Sequence, residues 1–272
     1  MTATGGVARD RETIAIELRN VGRTFASESR DKPGVVALDS VDLTVERGSF
    51  VSLIGPSGCG KSTLLRIAAG LDHADSGTVR VSEQAIAYVF QDAHLLPWRT
   101  VAENVALPLE LRGEPVASRT QAVQRALSAV ELSDAADRHP AALSGGMRMR
   151  ASIARALVTE PRLLLMDEPF AALDELTRHR LDERLRALWM QHRFTVVFVT
   201  HTIAEATFLS ERAVVLSARP GRVVHDQRID LPIERTAALR ADPAFARESA
   251  RLLSALEAGA AERMSKPTET SP

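Results

Sequence analysis

The nine residues Gly55-Pro-Ser-Gly-Cys-Gly-Lys-Ser-Thr63 constrain this chain more than any other stretch. They follow the apolar run Phe50-Val-Ser-Leu-Ile54 and precede the helical pattern of Leu64 to Ala69, which stops at Gly70. The spacing G-x-x-x-x-G-K-[ST] between a buried strand and a helix start lets backbone N–H groups curl around a phosphate. The helix adds the positive end of its dipole, Lys61 adds a full charge, and Ser62 offers a hydroxyl to magnesium. A glycine turn capping an ordinary helix explains the glycines but not the placement of the lysine. Gly55, Pro56, Ser57, Gly58, Cys59, Gly60, Lys61, Ser62 and Thr63 are therefore the first candidate binding residues.

Such a loop needs an α/β framework, and the rest of the chain supplies one. Strand-like runs occur at Ile14–Leu18, Val35–Leu38, Val41–Val45, Thr78–Val81 and Ala85–Phe90, and again at Arg162–Met166, Thr195–Thr200 and Ala213–Ser217. Residues 92 to 158 read as helical, with Val123, Ala126, Leu127 and Val130 at helical spacing. A second helix pattern runs through Leu181, Leu185 and Leu188. Strands alternating with helices imply parallel βαβ units. Arg219-Pro-Gly-Arg222 makes a turn into a last short strand, Val223–Val224. Residues 236–259 read as one amphipathic helix, and the first dozen residues and the tail from Ser265 as loose.

Bulk properties narrow the function. A chain of 272 residues, 45% hydrophobic, buries a core without staples, and its single cysteine, Cys59, excludes an intrachain disulfide and fits a reducing compartment. With 34 Lys+Arg against 35 Asp+Glu the net charge is −1, which argues against nucleic-acid binding by bulk electrostatics. Aromatics at 4% are thin for base stacking. No run approaches the length of a membrane span and no secretory leader is legible, so work at a membrane would be peripheral.

Two further constellations carry chemistry. Arg162-Leu-Leu-Leu-Met-Asp167, followed by Glu168, is a buried strand ending in two carboxylates at the edge of a parallel sheet. Asp167 would hold magnesium and Glu168 would orient and deprotonate an attacking water. Leu143-Ser-Gly-Gly-Met147 opens another helix on glycines and offers a second anion site.

With these on the page the chain resembles the ATP-binding subunits of ABC transporters, from roughly Ile14 to Ile233. The phosphate loop, a Q-loop at Gln91, the signature Leu143–Met147, the Walker B strand, a D-loop at Ala172-Leu-Asp174 and a switch histidine at His201 occur in family order. The resemblance implies an α/β P-loop ATPase fold: a mainly parallel core sheet, an N-terminal antiparallel β subdomain and a helical signature subdomain at about 92–158. The ATPase domain would span 12–235, with 236–272 a C-terminal helix and loose tail. It implies that Gln91 reaches magnesium and the attacking water, that His201 contacts the γ-phosphate, and that Phe25 stacks on adenine, unless Phe25 is simply a core residue. Leu143, Ser144, Gly145, Gly146 and Met147 would cap ATP held by a second copy of the chain, and Asp174 would connect the two sites. The family most often has Gln at the position of Met147.

The wording Phe90-Gln-Asp-Ala-His-Leu-Leu-Pro-Trp98 and Leu164–Thr177 resembles the importer branch for nitrate, sulfonates and taurine. That implies MgATP hydrolysis driving a transmembrane permease at the cytoplasmic face of the inner membrane, with a solute-binding protein as indirect partner and no nucleic acid. Leu95–Trp98 would be a patch facing the permease or would pack inside the helical subdomain. The alternative is an ATPase of the same type serving a non-transport or export assembly. Cys59, inside the phosphate loop, suggests that alkylation blocks ATP binding.

Overall fold

The apolar runs segregate into two sheets. In the computed structural model, which describes residues 13–27 and 34–265, β1 (Ile14–Phe25) and β2 (Val35–Glu46) pair antiparallel. Next, β3 (Phe50–Ile54) leads through the glycine loop into α1 (Lys61–Ala68), followed by β4 (Ser76–Val81) and β5 (Ile86–Val89). Helices α2 (Val101–Leu111), α3 (Val116–Ala129) and α4 (Gly145–Leu157) separate β5 from β6 (Leu163–Asp167). The chain continues with α5 (Glu175–His192), β7 (Thr195–Val199), α6 (Ile203–Leu209), β8 (Arg212–Leu216), β9 (Val223–Arg228) and α7 (Pro243–Ser265). A small antiparallel sheet has the order β2-β1-β4; the large sheet, β5-β6-β7-β3-β8-β9, is parallel except for its last pair. The expected fold class, with its antiparallel and helical subdomains, is what forms.

The central strands read as unbroken apolar runs because both faces of the large sheet are covered. Alternate residues therefore enter different cores. Leu163 and Leu165 of β6 and Val197 and Val199 of β7 pack with α1 and the small sheet, whereas Leu164, Met166, Val196 and Phe198 pack with α2 to α5. On the second side Trp189 of α5 meets Phe50 edge-on, with ring centroids 5.9 Å apart. A third cluster, around Ile54, Val215 and Leu252, seats α7.

Several elements differ from their sequence reading. The two short strands at 35–45 are one, because Ser40 takes φ of 51° and absorbs the irregularity without ending the pairing. Asn20, at φ of 50°, does the same in β1, which runs on to Phe25. The final strand reaches Arg228 as an antiparallel edge beside β8. The helix read at 236–259 is two pieces: a 3₁₀ turn at Ala237–Ala241, extended backbone at Asp242, and then α7. Pro243 forces that break, since the residue before a proline avoids the helical region while proline itself tolerates a first turn. The leader and the tail beyond Ser265 lie outside the described residues.

Candidate active site

The strand register places Leu53 and Asp167 each beside Val199, so the carboxyl ends of β3, β6 and β7 are level. Ligands of open α/β sheets sit outside those ends. Here the phosphate loop leaves β3 and enters α1 through Gly60, at φ of 102°. A side chain there is excluded twice over, since its Cβ would also come within 2.8 Å of the Ala37 carbonyl. Lys61 is buried; its Nζ donates to the carbonyls of Gly55 at 2.8 Å and Pro56 at 3.0 Å. The charge is thus held under the loop by the loop's own backbone.

A cavity of about 490 Å³ opens above it, lined by Ser57, Gly58, Gly60, Lys61, Ser62 and Thr63. Phe25, Gln91 and Glu168 reach it from three other elements. Phe25 is 40% exposed, so it is a cavity wall and not a core residue, and the Arg23 guanidinium lies 4.9 Å from its ring centre. Arg219, read from sequence only as part of a turn, also borders the cavity. Larger hollows of about 620 and 940 Å³ lie elsewhere, and neither brings these groups together.

The carboxylates divide their work by environment. Ser62 Oγ donates to Asp167 Oδ1 at 2.7 Å, and Tyr88 Oη donates to Asp167 Oδ2 at 3.3 Å. Burial raises the Asp167 carboxyl above the usual range, against the pull of those two donors. Burial and the facing Asp167 charge push the Tyr88 hydroxyl up as well. Tyr88 carried no sequence signal beyond lying in a strand three residues before Gln91. Glu168 sits at φ of 46°, its N–H held by the Val199 carbonyl at 3.0 Å. Its Oε2 is 2.9 Å from His201 Nδ1. When Glu168 is ionised it only accepts, and Nδ1 is then the donor of that pair.

A buried network supports the pair. Thr200 Oγ1 donates to Glu205, and Thr202 N–H donates to Thr200 Oγ1 at 3.0 Å. Glu205 faces Arg178 at 3.4 Å, and Arg178 in turn donates to the Leu173 carbonyl at 3.0 Å. The Leu173 carbonyl and Thr200, the residue before His201, are thereby tied through one ion pair. Next to it Asp182 pairs with Arg240 at 2.6 Å, its carboxyl pushed up to about 7 chiefly by burial. None of Glu205, Arg178 or Asp182 was singled out by sequence, because a charged residue on a helix reads as solvated until its neighbours are known.

The signature segment stands apart. Leu143 is buried, and Ser144 caps α4 by accepting from Met147 N–H at 3.2 Å. No residue of 143–147 lines the cavity. Met147 packs partly against the helical core, so its apolar side chain has a structural use. A Cβ on Gly145 would touch nothing closer than 3.9 Å, whereas one on Gly146 would strike Leu173 at 2.8 Å. Asp174 caps α5 by accepting from Thr177 N–H at 2.9 Å, which holds its carboxyl below the usual range.

Two expectations change. The Cys59 side chain is buried beneath the loop, its Sγ 4.0 Å from Lys61 Nζ, and burial raises its thiol. Alkylation in the folded chain is therefore opposed on both counts. Of Leu95–Trp98, Leu95 packs on the helical core and Leu96 is pinned by Asn104, while Trp98 is 71% exposed. The apolar patch is mostly Trp98.

The ABC transporter family profile matches residues 38–171. An uncharacterised ABC transporter ATP-binding protein of Methanocaldococcus jannaschii is 43% identical over 84% of this chain and 88% of its own length. The aliphatic sulfonates import ATP-binding protein SsuB 2 of Rhizobium johnstonii is 45% identical over 90% of this chain and 92% of its own. The ATP-binding cassette MJ0796, solved as a dimer in a post-hydrolysis state with ADP and Pi, superposes with a TM-score of 0.73 at 33% identity, covering 80% of this chain and 100% of that one. With those relatives and the geometry above, the chain belongs to the ABC transporter family as one of its ATP-hydrolysing subunits.

Proposed function

We infer that this subunit powers uptake of a small sulfonate or a related oxyanion through a membrane permease, hydrolysing MgATP in a head-to-tail dimer of two copies. The sulfonate importers at 42–46% identity support the cargo class. The cassette dimer supports the pairing.

The observation that carries the mechanism is the meeting, around one cavity, of Lys61, the Ser62–Asp167 pair and the Glu168–His201 pair. Lys61 turns from the loop carbonyls to the nucleotide phosphates. Glu168 accepts the proton of the attacking water, His201 holds Glu168 in position and meets the terminal phosphate, and Gln91 completes the wall. Phe25 stacks on the base. Hard oxygen donors at Ser62 and Asp167, with Gln91 nearby, suit magnesium, which usually takes few protein ligands and completes its shell with phosphate and water. The ion would neutralise charge developing on the transferred phosphoryl group.

Ser144 and the N–H groups of Gly145 and Gly146 meet the nucleotide held by the second copy, with Asp174 at the junction. Among the described residues no helix is long and apolar enough to cross a membrane. Exposed Trp98 is a permease contact at the cytoplasmic face. A solute-binding protein delivers the cargo on the far side. Reconstitution with the cognate permease tests the reading: uptake of a labelled alkanesulfonate that needs ATP, and stops in Glu168→Gln, is expected. Uptake indifferent to that variant would overturn it.

A further inference from the structure

A nucleoside triphosphate remains anionic after taking up a magnesium ion, and Lys61 offers a single charge. The structure holds a second cation at the same cavity. Arg219 borders it from the turn between β8 and β9, and its Nε donates to the Gly58 carbonyl at 3.0 Å. That bond fixes the guanidinium plane against the middle of the phosphate loop, with Nη2 only 3.1 Å from where a Cβ on Gly58 would stand. Among the described residues no acidic group pairs with Arg219, whereas Arg222, three residues on, is paired with Asp39. A guanidinium has five donors in a rigid fork suited to phosphate oxygens, and the Gly58 bond occupies one.

The turn carrying Arg219 is built against the loop. Gly221 N–H donates to the Ala37 carbonyl at 2.9 Å, and its carbonyl accepts from Asp39 N–H at 3.0 Å. Ser217 Oγ bridges the turn, donating to the Pro220 carbonyl at 2.8 Å and accepting from Arg222 N–H at 3.0 Å. A Cβ at Gly221 would lie 2.1 Å from the Cys59 carbonyl, so no other residue permits this approach. The backbone thus places the exposed Arg219 side chain at the cavity mouth, with its charge turned to the cavity and not to a carboxylate.

We propose that Arg219 is a nucleotide-binding residue, donating to the phosphate chain of bound ATP or ADP beside Lys61. The assignment rests on the cavity being the ATP site. Gly58 keeps the fork pre-oriented, so little side-chain freedom is lost when phosphate arrives.

Calorimetric titration of the full chain with MgADP, and of its Glu168→Gln form with MgATP, tests this. Arg219→Ala should bind both nucleotides roughly 10-fold more weakly, the usual scale for one hydrogen bond to a charged group. Arg219→Lys should recover part of the loss. Arg222→Ala should stay within about twofold of the parent, and the parent should lose affinity with added salt more steeply than Arg219→Ala. Arg219→Ala binding like the parent, while Lys61→Ala does not bind, would overturn the role of Arg219 alone. Normal binding by both variants would overturn the site itself. A loss that Lys does not recover, with a lower melting temperature of the free protein, would also overturn the proposal, leaving Arg219 as a brace of the loop.

Discussion

Two helices of this protein start on glycines, and they are put to different uses. Around the start of α1 the neighbouring strands deliver Lys61, the Ser62–Asp167 pair, Glu168 and Arg219 to one cavity. Around the start of α4 there is no such enclosure: Ser144 caps the helix, Gly145 has only the tip of Arg148 near it, and no acid lies in the first turn. Both ends offer N–H groups and a positive dipole end to an anion. The difference teaches that the helix terminus is generic and the company it keeps is specific. One end encloses a cavity within the chain, whereas the other stands open, and on the proposed function it meets nucleotide held by a second copy.

The largest test of this contrast is Lys61→Ala, expected to weaken MgATP binding by about 100-fold or more while α4 and the fold stay intact. Equal affinity by calorimetry would erase the distinction between the two helix starts. Glu168→Gln should lower turnover by about 10² to 10³ and leave ATP affinity within about twofold, accumulating a nucleotide-bound dimer visible by sedimentation. Turnover at the parent rate would remove Glu168 as the base.

Gly145→Ala probes the open helix start. In the free subunit the methyl group makes only an ordinary contact with Arg148 Nη2 at 3.9 Å, so melting temperature should hold or rise slightly, as expected for alanine in place of glycine in a helix. If α4 meets the nucleotide of a second copy as proposed, hydrolysis should nonetheless fall about tenfold. Full hydrolysis would show that α4 is only a structural helix.

Smaller effects are expected at the rim. Phe25→Ala should raise the ATP dissociation constant roughly three- to tenfold, the scale of one aromatic stack. Its half-exposed ring leaves thermal stability nearly unchanged. Cys59 should react slowly with maleimide at neutral pH in the native protein. Its raised pKa leaves less thiolate than an exposed thiol has at the same pH, and the rate should climb as pH is raised toward it. Immediate stoichiometric labelling at pH 7 would show that the loop opens readily.

Much of this architecture was legible from spacing. The phosphate loop lay between an apolar strand and a helix, and Asp167 and Glu168 ended a continuous apolar run, because strands buried on both faces cannot hide their composition. Breaks were harder to see. The division at Asp242 depended on weighing Pro243 against an otherwise strong amphipathic pattern. The continuity of β2 through Ser40 depended on a partner strand distant in sequence. Tyr88, Glu205, Arg178 and Arg219 escaped notice for a shared reason. Tyr88 and Arg219 act through residues 79 and 161 positions away, and the Arg178–Glu205 pair joins two different helices, which a linear pattern does not encode.

Local order in the chain therefore specifies which groups exist and which element carries each: a lysine at a helix start, acids at a strand end, glycines where backbone must turn. Those are properties of a few consecutive residues, and short-range sterics and hydrogen bonding are enough to set them. What the folded chain alone decides is convergence. Parallel pairing brings the ends of β3, β6 and β7 level, so that Glu168 meets His201. The antiparallel turn after β8 carries Arg219 back to the phosphate loop. Burial, which depends on everything packed around a group, then sets which charges are held in reserve and which face the nucleotide.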